Sequence, residues 1–288
     1  MQSYEPHVLD PTWLRLVDDA AIFPPGNAPL DDAAAAHLER RDAWYAGFVG
    51  SLVVRDTDLP QVRGLDADLA VVVTGGAGQL AGPLGLAHRT GLSVGGVEIA
   101  LRDLDDPAGN ARRVVAAVDA ARAEGVLDDA SAVHVELPAT EPSAAWLAAA
   151  DEVAAAELRL KYRTGGTDAD AFPTAAMLAQ WVDAALDRET PFKCTAGLHQ
   201  ALRHRDPETG FEHHGFLNLL VATQQLFDGG SVAEASTTLD LDDPAELITL
   251  AFNTDLWSAR RWFTSFGSCS VTEPLESLIA TGLLEEDV

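Results

Sequence analysis

Short apolar runs alternate with Ala-rich helical stretches along almost the whole chain. The runs at 20–23, 47–54, 69–73, 93–101, 132–137, 158–163, 191–195 and 262–266 read as strands. Helices are expected at 33–44, 59–65, 108–124, 143–156, 173–188, 215–227, 244–257 and 273–284. Val114, Val115, Val118 and Ala121 recur at helical spacing, Ser143 suits an N-cap and Pro173 a first turn. Alternation of this kind implies parallel strands joined by right-handed crossovers. Eight such units in 288 residues match an α/β fold, the (β/α)8 TIM-type barrel. An open doubly wound sheet would need a Gly-rich phosphate fingerprint after the first strand, and 20–27 contains none. No repeat or linker divides the chain. The expectation is one barrel domain over 1–288, with a long insertion between strands seven and eight, 199–243, as a lid or site wall.

Charge narrows the function. The chain carries 19 Lys+Arg against 45 Asp+Glu, a net −26. That excess argues against nucleic acid as a partner, because phosphate neutralisation needs clustered cations, and against anionic membrane surfaces. The hydrophobic fraction of 47% argues against disorder. No apolar run reaches the ~18 residues of a membrane span. The first ten residues, MQSYEPHVLD, lack the basic and apolar regions of a signal peptide. Cys194 and Cys269 are too few for a disulfide framework or a cysteine zinc site, and read as small packing residues. A cytoplasmic protein is expected, with a small anionic metabolite as partner, no cofactor, and homo-oligomerisation left open.

Only two of the 19 basic residues are lysine, Lys161 and Lys193. A lysine-poor, acid-rich surface fits adaptation to high salt or a GC-rich coding bias, and makes the two positions informative. They fall on the sixth and seventh strands. Barrel sites are built from the C-terminal ends of strands. Those ends supply Glu98, Glu136, Lys161 with Arg163, Lys193 with Thr195, and Ser265 with Gly267 and Ser268. Side-chain alternation aims Leu158, Leu160 and Tyr162 at the outer helices, and Lys161 and Arg163 inward. Phe192 and Cys194 likewise face out, with Lys193 and Thr195 inward. At an assumed ~6 Å and a dielectric of ~20, two interior ammonium groups repel by about 3 kcal/mol. That is expected to lower one pKa by roughly 2 units, toward a neutral amine able to form a Schiff base. Glu136 would shuttle protons. Fixed-charge binding of a carboxylate or phosphate is the competing use of the same lysines.

The runs Leu160-Lys161-Tyr162-Arg163-Thr164-Gly165-Gly166 and Phe192-Lys193-Cys194-Thr195-Ala196-Gly197-Leu198-His199 resemble strands six and seven of the deoxyribose-phosphate aldolase family. The resemblance implies class I aldolase chemistry, with Lys161 as Schiff-base nucleophile and Lys193 as the neighbour that tunes it. Outside those runs the chain departs from the family. Thr74 ends strand three where the family has a catalytic aspartate, Leu198-His199 replaces Ile-Arg in the phosphate turn, and Arg163 and the 199–243 insertion have no counterpart. The whole chain also looks like an uncharacterised prokaryotic protein group.

Other features supply subsidiary roles. Gly165, Gly166, Gly267 and Ser268 suit a phosphate or carboxylate cradle, because glycine lets backbone amides approach. His199 and His214 are candidate substrate contacts, His214 standing before an apolar helix whose first turn can present N–H groups. His199, His204, His213 and His214 lie in one segment, so a metal site completed by Glu98 or Glu136 is conceivable, although no metal-ligand spacing motif supports it and none is assigned. Asp18 and Asp19 have two readings, side chains that reach the mouth and, preferred, caps at the entry of the first strand. Three enzyme readings follow: an aldolase-like lyase working through Lys161; a non-covalent isomerase or phosphoribosyl-type transferase clamping an anion with Lys161, Arg163 and Lys193; and a metal-dependent hydrolase built on the histidines. A non-catalytic binding protein is the fourth reading.

Overall fold

A computed structural model describes residues 9–286. The ends of the 1–288 domain expectation, and most of the N-terminal decapeptide read for a signal, lie outside those residues. Eight parallel strands close into a barrel: β1 (Val17–Asp19), β2 (Val49–Arg55), β3 (Asp68–Val73), β4 (Ser93–Ala100), β5 (Ala132–Glu136), β6 (Arg159–Arg163), β7 (Phe192–Thr195) and β10 (Phe263–Ser268), which pairs back onto β1. A short antiparallel hairpin, β8 (His204–Arg205) with β9 (Glu212–His213), stands outside the ring. The helices are α1 (Leu30–Glu39), α2 (Ala81–Thr90), α3 (Pro107–Ala123), α4 (Ala144–Ala155), α5 (Ala175–Leu186), α6 (Phe216–Phe227), α7 (Val232–Asp240), α8 (Pro244–Phe252), α9 (Leu256–Ala259) and α10 (Thr272–Ala280).

The first strand lies earlier than its apolar pattern suggested. Ala21–Asn27 forms turns, and β1 instead carries Asp18 and Asp19. Both carboxylates are buried and satisfied, which is how a polar strand sits in a barrel wall. Asp19 faces α1 and meets His37 Nδ1 at 3.1 Å and Arg40 at 2.7 Å. The stretch expected as a helix at 59–65 is a run of turns after a 3-10 segment, Asp56–Asp58. There the Asp56 carboxylate accepts from the Thr74 amide at 3.1 Å and hydroxyl at 2.7 Å, tying the end of β2 to the end of β3. Helix α2 carries Gly82, Pro83 and Gly85, all poor helix formers, in its first five residues, and the sequence reading did not find it.

The expected outward face is correct. Leu160, Tyr162, Phe192 and Cys194 are fully buried between strands and helices. Tyr162 stacks near Trp146 of α4 and Trp181 of α5, and its hydroxyl donates to the Trp181 carbonyl at 2.7 Å. Ser143 caps α4 as expected, accepting from the Trp146 amide.

The 199–243 segment divides in two. Residues 199–214, with the hairpin, border the C-terminal mouth. Helix α6 belongs to the barrel's helical wall: nearly every residue is buried, as a helix apolar on all sides requires. Its buried Asn218 donates to the Thr238 and Leu241 carbonyls and accepts from the Arg203 amide, which fixes α7 over α6.

Candidate active site

Six charged side chains from five strands meet inside the barrel. Register places Lys161 between Glu136 and Lys193, and Lys193 beside Ser265. Because β4 and β7 are not neighbours, Glu98 reaches Lys193 only across the interior. The groups form one chain of alternating sign. Asp18 Oδ2 lies 2.6 Å from Lys193 Nζ, which is 2.7 Å from Glu98 Oε1. Glu98 Oε2 lies 2.6 Å from Lys161 Nζ, which is 2.9 Å from Glu136 Oε2. Glu136 Oε1 accepts from Arg163 Nε at 3.1 Å. Three carboxylates thus balance three cations. Asp18 is further held by the Ser265 hydroxyl at 2.8 Å and the Ser51 amide at 2.9 Å.

Exposure falls from Arg163 through the two lysines. The Arg163 side chain is 43% exposed, Glu136 14%, Lys161 5% and Lys193 2%. Arg163 therefore marks the mouth, and Lys161 is the lysine nearer to it.

The expected mutual depression of the two lysines does not occur. Burial alone would lower the pKa of Lys161, but Glu98 and Glu136 outweigh it and raise it. Lys193 is raised more strongly, by Asp18 and Glu98 against the same burial penalty. Burial opposes ionisation of Glu98 and Glu136 too, yet the adjacent cations hold both carboxyls below the usual range. A carboxylate stands between the lysines, so attraction replaces the assumed repulsion. Glu98, expected to face substrate, instead bridges the two ammonium groups at 2% exposure.

Asp18, preferred in the sequence as a strand cap and left out of the expected site, is a member of it. The available signal was an Asp pair beside buried apolar residues in a chain that also puts two lysines on interior strands. His134 was missed as well. It sits opposite Glu98 in register, buried, with Nε2 lacking a hydrogen-bond partner. Burial, then Lys193, holds its pKa well below the ordinary histidine value, so it is a neutral ring beside the lysines.

The remaining candidates separate. Thr195 and Gly267 lie side by side at the ends of β7 and β10, next to Arg163 in register. Gly165 serves close packing: a Cβ there would stand 2.8 Å from the Gly197 Cα and 2.9 Å from the Phe172 ring. Gly166 is similarly crowded by Ala171 at 2.6 Å. Ser268 is buried, and its carbonyl and hydroxyl accept from Ala20 and Ser270 amides. His214 is not brought to the mouth: it is buried at 1% exposure with Nε2 2.8 Å from the Pro173 carbonyl, a structural tie. His199 pairs with Glu273 at 2.9 Å. The His204 and His213 rings lie tilted against each other with centroids 5.1 Å apart. Among the described residues, no group of three or more His, Cys, Asp or Glu side chains is placed to hold a metal ion. Nor is any helix among them long and apolar enough to cross a membrane.

A depression of about 480 Å³ lined by Pro11, Leu14, Phe227, Trp257 and Arg260 opens at the N-terminal end of β1 and β10. None of its lining residues belongs to the ion chain, and barrel chemistry is built at the opposite end.

No family model and no curated protein matches this chain. Solved structures do. The tetrameric deoxyribose phosphate aldolase of Aeropyrum pernix aligns over 94% of this chain and 93% of its own, with TM-score 0.58 at 12% identity. A chain assigned as deoxyribose-phosphate aldolase from Coccidioides immitis aligns over 96% and 88%, with TM-score 0.53 at 11% identity. At such identities the likeness establishes a shared TIM-barrel fold.

Proposed function

We propose that the protein is a cytoplasmic barrel lyase that forms a Schiff base between Lys161 and a small anionic aldehyde or ketone, in the manner of class I aldolases. The observation that carries this reading is the pairing of Lys161 with Lys193 in direct register on strands six and seven. The shared fold of the aldolase structures supports it.

The resting amine is protonated, so catalysis starts with proton movement. Glu136 Oε2, 2.9 Å from Lys161 Nζ, is the mouth-side acceptor. Each unit by which the lysine pKa exceeds that of the acceptor costs about 1.4 kcal/mol, so the neutral pair is a minor state in the empty site. Substrate changes that balance. Its anionic group competes for Arg163, and Arg163 is one of the two cations that lower the Glu136 pKa. Losing that contact makes Glu136 more basic just as the carbonyl arrives. The freed amine then attacks the carbonyl carbon: a C–N bond forms, the oxygen takes a proton, and water leaves as the imine closes. Glu136, a carboxylate again, then takes the β-hydroxyl proton, and the bond between the α and β carbons breaks. An aldehyde leaves, and the protonated imine accepts the electron pair to become an enamine. The enamine is reprotonated at carbon and hydrolysed to free the lysine. Lys193 stays charged throughout and keeps Glu98 from competing.

The non-covalent clamp has less support, because both lysines already have two carboxylate partners each. A homo-oligomer, by analogy with the tetrameric Aeropyrum enzyme, is part of the same proposal and is checked by sedimentation. The central test is trapping with borohydride in the presence of small carbonyl acids, followed by peptide mapping. An adduct on Lys161 is expected, with its yield rising toward alkaline pH. Adducts confined to the N-terminal amine would overturn the covalent reading.

A further inference from the structure

Outside the ion chain, a second set of reactive groups meets on the same C-terminal face. Cys269 directly follows β10 and is half-buried. Its Sγ lies 3.9 Å from His199 Nε2, and the other nitrogen of that ring, Nδ1, lies 2.9 Å from Glu273 Oε2 in the first turn of α10. Nucleophile, base and orienting carboxylate thus stand in line, the order that activates a thiol for acyl transfer. The sulfur–nitrogen separation is long, as such contacts are in unliganded sites. Backbone N–H groups of Gly26 and of Cys269 itself also face the sulfur. A Cβ at Gly26 would come within 2.9 Å of Cys269 Cβ, so only glycine lets that amide approach. Amides beside a nucleophile are the donors an oxyanion needs. Other ionisable groups nearby are histidines: the His213 ring is 6.5 Å from His199, and the His204 ring lies tilted against His213.

We infer that Cys269, His199 and Glu273 form a second nucleophilic site, one that accepts an acyl group from an activated ester or thioester. Cys269 Sγ attacks the ester carbonyl carbon while His199 Nε2 takes the thiol proton. The C–O or C–S bond to the leaving group then breaks, and His199 returns the proton to the departing atom. The product is a thioester on Cys269. Water hydrolyses it, with His199 again as base, giving the acid and the free thiol. Burial, the largest influence, and the Glu273 charge push the thiol pKa up, while the two amides oppose them; the resting group is therefore a thiol that relies on its base.

The chain makes the test unusually clean. Cys194 is fully buried, and burial pushes its thiol further up. Both lysines are buried in ion pairs, so little amine is free to acylate. The probe is p-nitrophenyl acetate, with nitrophenolate release followed and the acetylated peptide mapped. A stoichiometric burst is expected, with the acetyl group on Cys269 and neither in Cys269→Ala. His199→Ala should slow acylation about 100-fold, the lower range for a general base, and added imidazole should restore part of that rate. Glu273→Gln keeps an oxygen facing the ring and should lose less than Glu273→Ala. Circular dichroism identifies any variant that fails to fold, and imidazole rescue separates a missing base from a disturbed loop. Acetylation of Cys269 no faster than in urea-unfolded protein, or a rate unchanged by His199→Ala, would overturn the inference.

Discussion

The barrel interior has two unlike halves. On the β2–β3 side it is filled by Ala20, Val53 and Ala70 with Phe23 and Val72 against them, a small apolar plug. From β4 round to β1 it is filled by ions: Glu98, Glu136, Lys161, Arg163, Lys193 and Asp18. Hydrophobic filling would have served the whole barrel as well, since well-packed apolar residues commonly equal or exceed a buried ion pair in stability. Packing explains the apolar half. The charged half is better explained by chemistry that needs amines and carboxylates fixed within hydrogen-bonding distance. Thr74, at the end of β3 in the apolar half, bonds Asp56 and takes no part in the ion chain.

The largest expected effect comes from removing the bridge between the lysines. Glu98→Ala leaves two buried ammonium groups facing an empty space, and breaking such a pair costs about 3–5 kcal/mol. Val53→Ala in the apolar half removes two methyl groups and costs about 2 kcal/mol. Urea unfolding at neutral pH measures both. Equal losses would mean that the ion chain is ordinary packing and would break the contrast.

Acid and alkali should act on one half only. Glu98 and Glu136 have folded pKa values below their unfolded ones, so their stabilisation is present above the unfolded value near 4.3 and is lost as pH falls toward the folded value. Lys161 and Lys193 have raised folded values, so their stabilisation is present below about 10.4 and is lost as pH rises through the folded value. The stability difference between the native protein and Glu98→Gln should therefore be widest between those limits and shrink on both sides. Val53→Ala should show a flat difference over the same range. Parallel pH profiles for the two variants would sink the linkage argument.

These halves were not equally legible in the sequence. Lys161 and Lys193 stood out because the chain otherwise avoids lysine, and strand alternation gave their direction. The barrel followed from the order of elements, which depends on many residues and tolerates local error. Asp18 escaped because an acidic pair inside a three-residue strand has no apolar pattern; only its tertiary partners, 175 residues away at Lys193, make the burial acceptable. The sign of the lysine pKa shifts escaped for a related reason. Strand register gives the distance between neighbours, but it does not reveal that Glu98 reaches past β5 and β6 to stand between them. His199 carried a sequence signal as a mouth residue, whereas its alignment with Cys269 and Glu273 depends on how the segments that follow β7 and β10 meet.

The smallest stability effect is expected at Arg163, where the chemical effect should nonetheless be large. Its side chain is 43% exposed and its ion pair with Glu136 is open to water. Pairs of that kind contribute about 0–1 kcal/mol, so Arg163→Ala should unfold within that margin of the native protein. If Arg163 is the group that receives the substrate's anion, trapping at Lys161 should fall sharply for an anionic carbonyl compound and hardly at all for a neutral one. Arg163→Lys should recover only part of the loss, because an ammonium lacks the planar fork that holds a carboxylate at two points. Salt offers an independent check. The protein's net −26 repels an approaching anion, so trapping of the anionic probe should quicken as moderate salt screens that field, while the neutral probe stays indifferent. An Arg163→Ala protein that loses trapping of both probes equally would place Arg163 in the proton path through Glu136 rather than at the anion, and the substrate class would then have to be drawn without a charge.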